Sequence, residues 1–126
     1  MGEMTEVSTA GAPPAIGAYS QAIDTGFFVF TSGTIPLDPE TRTMPADIKA
    51  ATARALDNLG AILEAAGSGF DKVCKATIFL VDIDDFQAVN DVYSGYFSTP
   101  YPARSCIAVA ALPMGARVEI ELVAVK

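Results

Sequence analysis

The run Phe27-Phe28-Val29-Phe30-Thr31 is the feature that most restricts the fold, because it is of strand length and carries large apolar side chains on both sides of its pleat. Phe28 and Phe30 fall on one side, Phe27 and Val29 on the other, so such a strand calls for cover on both faces. Two helical patterns are available to provide it. Ile48, Ala51, Ala55, Leu59, Ile62 and Ala66 recur at helical spacing, with Gly67 where a left-handed cap is expected, and predict a helix over 46–66. A second helix, capped by Asp82 or Asp84, aligns Phe86, Val89, Tyr93, Tyr96 and Phe97 in one stripe before the proline-rich Ser98-Thr99-Pro100-Tyr101-Pro102 ends it.

The remaining segments read as strands. Tyr19 to Asp24 pairs with the phenylalanine run across the turn Thr25-Gly26, and the β-branched stretch Val73 to Val81 predicts a central strand. Ala103 to Ala111 and Arg117 to Val125 close the chain around the turn Leu112-Pro113-Met114-Gly115. Residues 1–15, with Gly11, Pro13 and Pro14, predict an irregular lead-in to a single domain over 1–126, and the stretch from Ser32 to Pro45 predicts a loop. The order strand-strand-helix-strand-helix-strand-strand implies an α+β sandwich with both helices on one face of a single sheet. The other face then has nothing in the chain to cover it. A second copy is the expected cover, which predicts a homo-oligomer with sheets packed together and subunit boundaries beside the strand ends.

Composition excludes several function classes. Fifteen acidic and eight basic residues leave a net charge of -7, which argues against nucleic acid as a partner. Apolar runs are only a few residues long, far short of the roughly 20 that span a bilayer, so no membrane span is expected. The start Met1-Gly2-Glu3-Met4-Thr5-Glu6 has neither a basic patch nor an apolar run, which makes the cytoplasm the expected location. There are two cysteines and no histidine. The usual metal ligand and triad base are therefore missing, no metal site is expected, and catalysis must draw on carboxylates, hydroxyls, arginine or backbone. The glycines form no dinucleotide or phosphate-loop signature, so no nucleotide cofactor is indicated.

Arg104 lies at the entry of a strand, before the small apolar run Ser105-Cys106-Ile107-Ala108-Val109-Ala110, and needs a partner there. Its planar fork suits either a substrate carboxylate or an internal glutamate. Glu119 and Glu121 alternate with Val118, Ile120 and Leu122, so both project from one face of a strand whose other face is core. They are either solvated or, where one is buried at a subunit boundary, placed to act as a general base. Tyr19, Ser20, Ser32 and Ser105 either orient a substrate or satisfy turn backbone, and Asn90, one position off the apolar stripe, either borders a cleft or faces solvent. Cys106 lacks a histidine, and the strand pleat is expected to turn it away from Arg104, so thiol catalysis is not expected.

Taken together, Ile16-Gly17-Ala18-Tyr19-Ser20-Gln21-Ala22, Thr31-Ser32-Gly33-Thr34-Ile35-Pro36, Pro102-Ala103-Arg104-Ser105-Cys106 and the ending Leu112-Pro113-Met114-Gly115-Ala116-Arg117-Val118-Glu119-Ile120-Glu121 resemble the motifs of the RidA (YjgF) family. Asn58-Leu59, Ala65-Ala66-Gly67 and Asp85-Phe86 through Asn90 and Tyr93 extend the resemblance over nearly the whole chain. It implies a chorismate-mutase-like sandwich with a mixed sheet, assembled as a homotrimer with clefts between subunits. It further implies hydrolysis of reactive 2-imino or enamine acids, such as 2-aminoacrylate, to 2-keto acids and ammonia without cofactor. Arg104 is then expected to bind the substrate carboxylate, Glu119 to activate water, and Tyr19, Ser32 and Asn90 to line the cleft, with Cys106 contributing mainly through its backbone. The chain departs from the family pattern at Ala18, at Thr34 and in the short Ser98 to Tyr101 connection, positions that bear on the shape of the cleft. Other roles attached to the family are single-strand ribonuclease or translation inhibitor, which needs a cationic groove with aromatic platforms, and a ligand-binding or chaperone-like module without turnover.

Overall fold

A computed structural model describes residues 3–126. Met1 and Gly2, which belong to the expected lead-in, lie outside the described residues. The fold is α+β, with one six-stranded mixed sheet and two helices. In chain order the elements are β1 (Thr5–Val7), β2 (Ala22–Asp24), β3 (Phe28–Thr31), α1 (Ile48–Ala65), β4 (Val73–Leu80), α2 (Phe86–Tyr93), β5 (Ala103–Ala108) and β6 (Val118–Val125). The sheet runs β1-β2-β3-β6-β4-β5. Among the described residues only β4 and β5 pair in parallel, because α2 carries the chain back across the sheet between them.

α1 forms where its pattern predicts. The Asp47 carboxylate accepts the backbone N–H of Ala50, and Gly67, at a φ of 77°, ends the helix in the left-handed region. Its buried face carries Leu56, Leu59, Ile62 and Leu63 onto Ile78 and Leu80 of β4 and Val118, Ile120 and Leu122 of β6. These residues alternate along their strands, so one sheet face makes the core and the other stays open. Among the described residues, no helix is long and apolar enough to cross a membrane.

Several expectations need correction. The lead-in is not wholly irregular, since β1 pairs antiparallel with β2 through Val7 and Ala22; three residues are too few to show a strand period in sequence. The strand expected from Tyr19 begins only at Ala22, because the preceding segment turns at Gly17. Phe27 does not share the buried face with Val29: it sits in the turn closed by Thr25 N–H to the Phe28 carbonyl and is 64 % exposed. The Phe86 stripe is helical only as far as Tyr93, although Phe97 is still buried against Tyr93 at a ring separation of 4.5 Å. Asp82 caps the short turn before α2 rather than α2 itself. The strand expected to reach Ala111 ends at Ala108.

Phe28 and Phe30 occupy the open face, 42 % and 46 % exposed, while Val29 is fully buried beneath the helices. Ile23, across from Phe30, and Val125, across from Phe28, share that face. One face of the phenylalanine strand is therefore covered by the chain's own helices and the other is bare.

Candidate active site

Arg104 and Cys106 pair with Ala76 and Ile78 of β4, so both point to the helix-covered side at the sheet's β5 edge. The expectation that the pleat would separate them is wrong, since residues two apart share a face. There α2 meets the arginine: Arg104 Nη1 donates to Asn90 Oδ1 at 2.8 Å, and the guanidinium carbon lies 4.8 Å from the Tyr93 ring centroid and 5.4 Å from that of Phe86. Phe86, Asn90 and Tyr93 stand at i, i+4 and i+7 and so form one helical face. That spacing was the missed signal. It shows Asn90 on a cleft wall and Tyr93 and Phe86 as cation–π platforms rather than core alone.

No carboxylate lies within ion-pair distance of Arg104 among the described residues, so the internal ion pair is not formed. The half-buried guanidinium opens instead on a cavity of about 380 Å³ lined by Asn90, Tyr93, Ser94, Tyr101, Pro102 and Arg104. The Tyr93 hydroxyl is buried without a hydrogen-bond partner. Burial pushes the Cys106 thiol above its ordinary range, partly countered by Arg104, so the sulfur is held as an inert thiol.

Glu119 belongs to the other side of the sheet. Its neighbours Val118 and Ile120 are buried on the helix face, and it projects with Glu121 from the open face. Ser32-Gly33-Thr34 continues past β3 and docks on β6 through reciprocal backbone bonds between Thr34 and Ile120 of 2.8 and 3.1 Å. The Glu119 carboxylate therefore lies over Gly33, where a Cβ would come within 2.7 Å of Oε2. A side chain at that position would push the Glu119 carboxylate aside. Burial pushes the Glu119 carboxyl above its ordinary value of 4.5, and the carboxylate of Glu121 acts in the same direction. Ser32 Oγ donates to the Ser20 carbonyl at 2.6 Å, and the exposed Tyr19 ring stands beside it, its hydroxyl accepting from Ile16 N–H at 3.3 Å. Both line a second cavity with Gly33.

The six expected site residues thus fall into two groups within one chain. Arg104, Asn90 and Cys106 sit at the β5 edge on the helix side. Glu119, Ser32 and Tyr19 gather around the end of β3, two to three strands away, at about 4.8 Å per strand. The first group offers a cation without an acidic partner, held over aromatic rings and suited to a small carboxylate; the second offers a half-buried base. Among the described residues, no three acidic or cysteine side chains are grouped to hold a metal ion.

The family model described as Endoribonuclease L-PSP matches residues 9–126. A goat protein named 2-iminobutanoate/2-iminopropanoate deaminase is 50% identical over 121 residues, 95% of this chain and 88% of the relative. The Escherichia coli K12 protein of that name is 44% identical over 123 residues, 95% of this chain and 96% of its own. The crystal structure of E. coli TdcF with bound serine superposes with a TM-score of 0.93 at 41% identity, covering 97% of this chain and 98% of TdcF. With sequence and backbone agreeing over essentially its whole length, the chain belongs to the RidA/YjgF family, also described as endoribonuclease L-PSP.

Proposed function

We propose that this protein is a hydrolase that deaminates small 2-imino and enamine acids, and that each site is completed by two subunits of a homotrimer, one supplying Arg104 and Asn90 and the next supplying Glu119, Ser32 and Tyr19. The observation that carries the reading is the Arg104 guanidinium, half-buried, stacked on Tyr93, anchored by Asn90 and without any acid of its own. A cation so placed gains most from an incoming carboxylate. The relatives' names fit this substrate class, and the serine held by TdcF is a small α-carboxylate compound.

In the proposed reaction Arg104 grips the carboxylate and Glu119 takes a proton from water as the water oxygen bonds to the imine carbon. Glu119 returns that proton to nitrogen to complete the carbinolamine, then passes the carbinolamine's hydroxyl proton to the same nitrogen as the C–N bond breaks and the C=O bond forms, so that ammonia leaves a 2-keto acid. An imine is already electrophilic, so orientation and a positioned base suffice without a cofactor. A raised carboxyl pKa suits Glu119 both to take the proton and to return it. The ribonuclease reading calls for a basic groove, against which stands a net charge of -7. Two free thiols, Cys74 and Cys106, accord with a reducing cytoplasmic setting.

The test is decay of an imino acid generated by an upstream amino-acid enzyme, with and without the protein. Acceleration is expected, with kcat/KM falling about a hundredfold in Arg104→Ala, the cost of removing one partner of a desolvated charge pair. An unchanged rate in that variant overturns the mechanism. RNA cleavage insensitive to Arg104→Ala supports the nuclease reading, and saturable ligand binding without product supports a binding module.

A further inference from the structure

β3 and β6 do not stay in step along their length. Phe28, Val29 and Phe30 pair with Val125, Ala124 and Val123, and in that register Thr34 would stand opposite Glu119. Thr34 bridges Ile120 instead, so Thr31, Ser32 and Gly33 fill a stretch that Leu122 and Glu121 fill on β6. The extra residue is a β-bulge, and a shift of one residue turns every side chain after it to the other face. In an unbroken strand Thr34 would project from the open face that carries Phe30 and set a branched side chain against Glu119. With the bulge Thr34 is buried beside Ile120, 8 % exposed, and Gly33 takes the open side, where the missing Cβ makes room for the Glu119 carboxylate.

A bulge interrupts the ladder and leaves backbone groups that need partners. Here the N–H of Leu122, a buried residue, donates to the Thr31 hydroxyl at 2.9 Å, so a side chain bridges the gap in the ladder. On its other side the same stretch is fastened to β2, by the pairing of Thr31 with Ala22 and by a bond of 2.9 Å from the Ser32 N–H to the Gln21 carbonyl. Given the deaminase reading, we infer that Thr31 is a positioning residue for the hydrolytic step: its hydroxyl holds the bulge that sets Gly33 beside Glu119 and so fixes where the base stands. Thr31 acts through Glu119 rather than on the substrate. The bulge segment is uncharged and β4 presents Phe79 opposite Glu119, so burial and the charge of Glu121 are what act on its carboxyl.

Thr31→Val keeps the shape of the side chain and removes the acceptor. The Glu119 carboxyl then gains water, and its titration, followed by carboxyl 13C NMR and assigned with Glu119→Gln, is expected to fall back toward 4.5. For the alanine imine made by a flavin amino-acid oxidase, kcat is expected to drop about tenfold through the displaced base, with KM little changed because Arg104 is untouched. Thr31→Ser returns a hydroxyl and is expected to restore both readouts. Thr31→Ala, in which water can reach the Leu122 N–H, is expected to shift them in the same direction as valine and serves where valine blocks folding. Variants that only unfold more readily, with titration and kcat in place, make Thr31 merely structural and overturn the inference, as does Thr31→Ser no better than Thr31→Val. A shifted titration in a protein whose wild type hydrolyses no imine upholds the placing of Glu119 by the bulge and overturns the deaminase reading.

Discussion

Glu119 shows how one carboxylate among fifteen acidic residues becomes distinct. Glu119 and Glu121 are equivalent in the strand pattern, yet only Glu119 is packed over Gly33, and burial raises its pKa with Glu121 adding to the effect. As a general base Glu119 must be deprotonated, so kcat/KM is expected to rise with pH through an inflection above the ordinary glutamate value. Replacing Glu121 with Gln removes the like charge, and the inflection should move to lower pH while the plateau changes little, as read from a pH–rate profile. The sign for stability is opposite: a raised folded-state pKa favours the fold at low pH, and that contribution is lost as pH rises through the folded value. At Arg104 the sequence left ion pair and ligand anchor open, because a residue's partner across a sheet edge is not encoded by its own neighbours.

Among the elements, α1 does more than cover the sheet. Asn58, fully buried on its inner face, donates to the carbonyls of Leu37 at 2.9 Å and Ile35 at 3.3 Å and accepts from Arg54. It thereby ties the Ser32–Leu37 segment, and with it Gly33 under Glu119, to the helix. Asn58→Ala leaves two carbonyls without this donor and is expected to cost about 2 kcal/mol of stability in denaturant unfolding, with a fall in kcat/KM as the Glu119 support loosens. α1 was legible because eighteen residues repeat its period many times. β1 was not, because three residues cannot. α2 lay between: its apolar stripe was evident, but the overlapping Phe86/Asn90/Tyr93 face became meaningful only when β5 brought Arg104 against it.

At the scale of the whole molecule, the open sheet face and the divided site point to the same assembly. Phe28 and Phe30 lie bare, and Arg104 and Glu119 project from opposite faces of one sheet. The proposed trimer answers both by laying one chain's β5 edge against the next chain's Glu119 face. Mixing inactive Arg104→Ala and Glu119→Gln subunits in equal amounts, unfolding and reassembling them, is expected to restore about a quarter of wild-type activity, since each site draws one half from each of two randomly chosen chains. No recovery, or a stable monomer with full activity in sedimentation, would overturn the shared site.

By itself the sequence determined the kinds of elements, the alternation that puts Glu119 and Glu121 on one side of a strand, and the set of residues from which a site can be drawn. These follow from periods of 3.6 and 2 that are local to each segment. Only the tertiary structure decided that β6 inserts between β3 and β4, that the face of β5 carrying Arg104 lies against α2, and that Arg104 and Glu119 look away from each other. Which sheet face a strand's alternate residues occupy depends on its register with neighbours distant in sequence, and a local pattern holds no record of that pairing.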